Sequence, residues 1–383
     1  MHQQKSHLQE FLVKYFNNKE LDDLYISVFL KTLAESLISI FIPIYLLTLN
    51  YTLIDISIYF LILSTTLAVI MPLTMNLNHI LGVKKTIALG TFVSIIYYYL
   101  LNYLGKGISY PLLAFISGVS IAIYFSGFHI EFTRSVIKKQ EASELSILNI
   151  VVLIPSILGP LIGAILISKT SFNFLFILAA IILFISVIPL LLKEDFKEEV
   201  KKIPFKKFIN IDSKRKAIVY QSEGMLNLVS GIFWPIFIYL TLKNLVSLGA
   251  IVSITSLFMI FIILYLGRLS DKNDKKVLKT ATLFNAPFWI IRLFLLSPIG
   301  FFFSNLLSSI TSSAIFLSFY KTIYEKARKS KDVIHYFLFR EYNLAIGRTL
   351  FLIFAILTNS IFWMFIVCFF ITFSYLLLLR EMK

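Results

Sequence analysis

Hydrophobic residues in this chain arrive in long blocks, each ended by a short polar interruption. The stretch SITSLFMIFIILYL, for example, stops abruptly at GRLSDKNDKK (267–276). Twelve such blocks can be drawn, near 25–48, 53–75, 85–105, 109–130, 146–168, 172–192, 217–241, 245–267, 279–297, 299–320, 336–357 and 360–379. Each is long enough for the roughly 20 residues of helix that cross a bilayer core. Backbone polar groups in lipid must be satisfied within their own segment, which makes these blocks helices. The pattern predicts an all-α polytopic membrane protein with twelve transmembrane helices.

Composition agrees. Of the 383 residues, 58% are apolar and 15% charged, with a mean hydropathy of +0.84, far from the balance of a soluble domain. The net charge of +15 would suit a nucleic-acid binder, but its placement says otherwise. The odd-numbered connections hold only Lys106, Lys169 and Lys243, and Lys31, Arg292, Arg340 and Arg348 fall inside spans. Every other Lys and Arg lies in the N-terminal segment, in or at the edge of the even-numbered connections, or at the C-terminus. Basic residues concentrate on the cytoplasmic side, so both termini are expected there, in a cell inner or plasma membrane. The basicity is a topology signal, with lysines near anionic headgroups, and no nucleic-acid partner is expected.

Residues 1–23 lack the apolar core of a cleavable signal. Leu8, Phe11, Leu12, Tyr15 and Phe16 share one helical face, which suits either a short interfacial helix or a frayed tail. Cys368 is the single cysteine, so no internal disulfide can form.

The longest polar interruption, 193–216, divides the chain into an N-terminal segment (1–23), a six-helix bundle (24–192), a basic linker (193–216) and a second bundle (217–383). IFIPIYL in the first span aligns with IFWPIFIYL in the seventh when Pro43 is set on Pro235, 192 positions on. The same offset lays MNLNHILGVK (75–84) on GRLSDKNDKK without a gap, so that His79 meets Asp271 and Lys84 meets Lys276. A weaker match pairs the surroundings of Gly159 with those of Gly347. Two parallel repeats of this kind suit bundles that rock about a midplane site.

Six plus six spans, cytoplasmic termini and a basic central loop resemble the major facilitator superfamily. Its signature G-x-x-x-D-[RK]-x-G-[RK]-[RK] is met by Gly267, Asp271, Lys272, Lys275 and Lys276, with Asp274 in place of the second glycine. The first-half copy keeps Gly82, Lys84 and Lys85 but has Met75, His79 and Ile80 instead of the glycine, acid and base. The resemblance implies a carrier of small solutes working by alternating access, acting as a monomer and without a cofactor. It implies that the first, fourth, seventh and tenth helices line a central cavity. It further implies a cytoplasmic gate in which Asp271 faces the start of the fifth helix, with Glu131 and Arg134 at the end of the fourth, while Gly267 permits close approach. GPLIG (159–163) resembles the core of an antiporter signature, which would suit export. The arginine-centred signature of the fourth helix is missing.

No catalytic pattern is present. Gly105-Lys106-Gly107 lacks the rest of a phosphate-binding loop, and the five histidines form no metal motif. Charges within spans are the strongest lead, because each is costly in lipid. Lys31 and Glu35 lie four apart and can pair. The seventh helix carries Glu223 and Asn227, the tenth a hydroxyl-rich run with Asn305, and the eleventh Asn343 and Arg348. Glu35 and Glu223 are candidate proton-coupling carboxylates, with Arg348 as counter-ion to one of them or to an anionic substrate. Lys31 and Arg340 can instead snorkel to the cytoplasmic interface, and Arg292 is expected to reach the outer headgroups. A lipid flippase on the same scaffold, or a non-transporting sensor or assembly protein, are the competing readings.

Overall fold

A computed structural model describes residues 19–135, 141–192, 194–198, 214–329 and 333–382. The proposed interfacial helix at the N-terminus falls outside them.

The described chain is helical almost throughout. Helix α1 runs as Lys19–Ile38, a 3-10 turn Ser39–Phe41 and a final stretch Ile42–Thr48. It is followed by α2 (Leu53–Thr74), α3 (Val83–Leu101), α4 (Tyr110–Ser135), α5 (Glu141–Lys169) and α6 (Phe172–Leu191). Helix α7 repeats the broken form: Lys214–Leu228, a π turn Val229–Phe233, then Trp234–Leu242. Then come α8 (Leu245–Lys272), α9 (Asp274–Ile291), α10 (Pro298–Lys329), α11 (Val333–Thr358) and α12, which winds from Ile361–Thr372 into a 3-10 stretch Phe373–Arg380. Ten of these are long and apolar enough to cross a membrane. The two that fall short, α3 and α9, carry lysines in their first turns and pack among the others.

The repeat seen in the sequence has a local cause. Pro43 and Pro235 each sit in the first two positions of the segment that restarts a helix after its break. A proline there costs no hydrogen bond, because the first-turn N–H groups have no intrahelical partner. Helix α5 packs against α1 in the first half as α11 packs against α7 in the second. A Cβ on Gly163 would lie 2.1 Å from Leu37 O, and one on Gly347 would lie 2.0 Å from Gln221 O. Those glycines let backbones touch, as small residues do between membrane helices. Across the halves, α2 meets α11 and α5 meets α8, where Leu161 N donates to Ser253 Oγ at 3.0 Å.

Two expectations about the 267–276 run change. Helix α8 continues to Lys272, so Gly267 and Asp271 are helical, and the helix does not end where the apolar block stops. The reconnection is confined to Asn273, whose side chain accepts from Lys276 N at 2.9 Å and starts α9. Nor does Gly267 permit a close approach: a Cβ there would have no neighbour within 4 Å.

The first-half counterpart is built differently. Gly82, at φ +106°, turns the chain into α3, and the N–H groups there are met by residues from beyond α6. Asp195 accepts from Lys84 N at 2.8 Å and Lys85 N at 3.0 Å, while Phe196 O accepts from Val83 N at 2.9 Å. A carboxylate on a helix N-terminus is favoured by both hydrogen bonding and the helix dipole. Residues 194–198, expected in a separate linker, are thus bonded to the first half.

These contacts separate two kinds of glycine. Gly163→Ala is expected to cost about 1–3 kcal/mol through overpacking against α1. Gly267→Ala should be neutral or stabilising by up to about 1 kcal/mol, since Ala is the better helix former. Thermal unfolding of both variants in detergent tests the contrast; equal destabilisation would contradict it.

Candidate functional site

The chemistry of the spans is governed by where the charges find partners. On α1, Lys31 is buried, paired with Glu35 one turn on, and lies 4.1 Å from the centre of the Tyr124 ring on α4. It does not snorkel to the interface. The Glu35 side chain remains 38% exposed. On α7, Glu223 is buried and accepts from Arg340 of α11 at 2.9 Å, and Arg340 also donates to Glu341 at 2.7 Å. Arg340, expected near the interface, is therefore the cation that holds Glu223. His129, near the end of α4, lies within electrostatic reach of Arg340 and Glu341.

A cavity of about 320 Å³ opens between α7, α9, α10 and α12, within the usual size range for small-molecule sites. Glu223 and Asn227 line it from α7, and Asn305 with Ser308 and Ser312 from α10. Asn305 accepts from Trp234 Nε1 at 3.0 Å and donates to Thr255 at 3.1 Å, which fixes its amide. From α9, Asn285 donates to Thr311 at 2.7 Å and to Ser312 at 3.0 Å. Ser308, Ser309, Ser312 and Ser313 of the α10 run line the cavity.

Arg292, immediately after α9, is the unexpected member of this wall. It is only 3% exposed and does not reach outward to headgroups. Its guanidinium lies over two indoles, 4.3 Å from the centre of Trp234 and 4.4 Å from that of Trp289. Its Nε and Nη1 are buried without a hydrogen-bond partner, as is Trp289 Nε1. Removing such a charge from water costs several kcal/mol, and a desolvated cation–π contact returns only about 2 kcal/mol or somewhat more.

This arrangement can be set beside known proteins. A model of the Major Facilitator Superfamily matches residues 24–339. The chain belongs to the Major Facilitator Superfamily. By fold it resembles the crystal structure of the nucleoside transporter NupG, with a TM-score of 0.70 at 14% identity over 96% of this chain and 100% of that one. A point variant of NupG gives 0.73 at 14% identity, covering 95% and 99%. A search of curated proteins by sequence gave no match. The chain is therefore a multi-pass membrane transporter of superfamily architecture.

Not every expected site residue of this superfamily member meets the cavity. Glu223, Asn227 and Asn305 do. Lys31, Glu35 and Arg348 do not line it, so Glu35, Glu223 and Arg348 do not converge there. Asn343 is buried in the α7–α11 contact, where it accepts from Gln221 at 3.1 Å and donates to Phe339 O at 2.8 Å. Glu131, expected in the cytoplasmic gate at the end of the fourth helix, is 1% exposed and faces Lys84 Nζ at 3.9 Å. Lys275 and Lys276 are exposed in the first turn of α9. The side chains of Asp271, Lys272 and Arg134 lie outside the described part of the structure. Arg292 is unexpected here because the ninth helix is not among those the resemblance sets around the cavity, so its charge is assigned to the headgroups. The spacing Trp289-x-x-Arg292, one helical turn, was the available signal.

Removing one partner of the Glu223–Arg340 pair strands the other in a buried site. Arg340→Met is expected to destabilise by about 3–5 kcal/mol. The double variant Glu223→Met/Arg340→Met should recover much of that loss. A thermal-unfolding mutant cycle measures the coupling, and additive losses would show that the pair is not coupled.

Proposed function

We propose that this transporter is a secondary carrier working by alternating access, with its solute seated against the α7–α10 wall and its transport coupled to protons. The observation that carries the reading is the placement of Glu223. It is a buried acid that both lines the cavity and is held by a cation on another helix. A carboxylate so placed can exchange a proton for its contact with Arg340, which links protonation to the packing of α7 on α11. One charge moving through 100 mV supplies about 2.3 kcal/mol, enough for a single titrating carboxylate to couple transport. Glu35 is the candidate acid of the first half, partly open and paired with Lys31. We take the basic face, where α1 begins and α12 ends, as cytoplasmic. Asp271 is the candidate latch on that face, acting from the last turn of α8.

The likeness to a nucleoside transporter makes nucleosides one solute class to include in a screen. Purified protein in proteoliposomes should accumulate a solute when a pH gradient is imposed, and not otherwise. Glu223→Gln and Glu35→Gln should each lower pH-driven accumulation by at least about tenfold, the effect of a difference near 1.4 kcal/mol. Solute exchange without a gradient should be reduced less. Unaltered pH-driven accumulation in both variants would remove proton coupling through these residues.

A further inference from the structure

We propose that Arg292 is the anchor for an oxyanion of the transported solute, so that the cavity takes small organic anions such as carboxylates or phosphate monoesters. The proposal rests on the cavity being the solute site. Three observations carry it. First, the guanidinium is buried in the cavity wall with Nε and Nη1 unbonded, although such groups in protein interiors are almost always satisfied. Second, the two indoles account for its packing but not for its hydrogen bonds. A guanidinium donates through the N–H groups in its own plane, where it matches the two oxygens of a carboxylate or phosphate. Trp289 Nε1, also buried and unpartnered, adds a third donor at the same place.

Third, among the described residues that line the cavity, no charge is paired with it. The acid that lines the cavity, Glu223, is bonded to Arg340, and Glu341 is bonded to that same arginine. Cys368, close enough to be felt electrostatically, is a buried free thiol. The rest of the wall around Arg292 offers neutral groups, Asn305, Ser308 and Ser312 among them, suited to the uncharged body of a solute. The volume of about 320 Å³ is far more than a bare inorganic ion would fill. The burial of Arg292 away from the lipid face also sets a membrane headgroup aside as its partner.

The protein reports on this site itself. Of its three tryptophans, Trp234 and Trp289 flank Arg292, while Trp363 is 52% exposed on α12. Tryptophan fluorescence of full-length Trp363→Phe protein in detergent can be titrated with benzoate, phenyl phosphate and inorganic phosphate, and with neutral benzamide and benzyl alcohol. Benzoate or phenyl phosphate should give a saturable change at concentrations at least about tenfold below those the neutral probes need. Arg292→Gln in that background should weaken the anions by at least about tenfold and leave the neutral probes unchanged. Arg292→Lys should fall between. The thermal midpoint of Arg292→Gln without ligand should equal or exceed that of the parent, and anions should raise only the parent's.

Equal responses to charged and neutral probes, or no saturable response to any, would overturn the proposal. So would a response to inorganic phosphate alone, or an Arg292→Gln variant that loses stability but keeps anion binding. The two readings fail separately. If Arg292→Gln carries a neutral solute at the parental rate, the transporter reading stands and the anion assignment falls. If anions bind through Arg292 but no solute is carried by proteoliposomes, the reverse holds.

Discussion

The cost of holding a full charge away from water organises this molecule. A bundle of apolar helices can keep an ion inside only by supplying a counter-ion, a ring face or a set of hydrogen bonds. Apart from Arg292, each buried ion discussed above has a counter-ion. Lys31 has Glu35 and the face of Tyr124, and Glu131 has Lys84 within 3.9 Å. Glu223 has Arg340, which has Glu341 as well. Because the Glu223 partner sits on a different helix, the relative position of α7 and α11 is tied to a charge state. The pair is a packing element and a chemical element at once, and that is why the cavity beside it is the place to look for transport chemistry.

Arg292 stands apart from that pattern. Its indoles supply attraction without accepting hydrogen bonds, so its needs are met only in part. A residue that breaks a local rule of stability while lining a cavity marks a functional position more strongly than one that obeys it.

Much of the fold was legible because bilayer thickness and backbone bonding leave few alternatives to a block of helix. The broken first and seventh helices were foreshadowed by Pro43 and Pro235, since proline marks a restart as well as an interruption. The site was less legible. Asn227, Asn305 and the serines of α10 stood out because polar groups are rare in such blocks, and they do face the cavity. Arg292 did not, because its meaning depends on Trp234, a residue from another helix whose approach no local pattern encodes. Arg340 and Asn343 were misplaced for the same reason. Whether a charge in a span snorkels, pairs or faces solute is decided by neighbours far away in sequence. The signature glycine, Gly267, failed differently: its motif spacing is kept, but α8 continues through it and nothing lies near enough to require a glycine.

The two halves diverge most at their paired loops, where the first-half copy of the signature has already lost its glycine, acid and base in the sequence. In the second half the turn into α9 is self-sufficient, with Asn273 capping the helix that follows it. In the first half the corresponding turn has lost its acid, and Asp195 performs the capping from more than a hundred positions away. The bound carboxylate explains why Gly82 persists in an otherwise decayed motif. A Cβ there would lie 2.2 Å from Asp195 Oδ2, and the backbone at that point has the positive φ that glycine tolerates. The duplicated loop has therefore been repurposed rather than merely eroded. Glu194 O holds the Lys84 ammonium at 3.0 Å, Lys84 faces Glu131, and Glu198 N donates to Asn78 O at 3.4 Å. Mechanically the first half extends to Glu198, beyond the last residue of α6. With the first half tied to residues beyond α6 and the second carrying the cavity and the Glu223–Arg340 pair, the proposed proton coupling would act on the contact between α7 and α11.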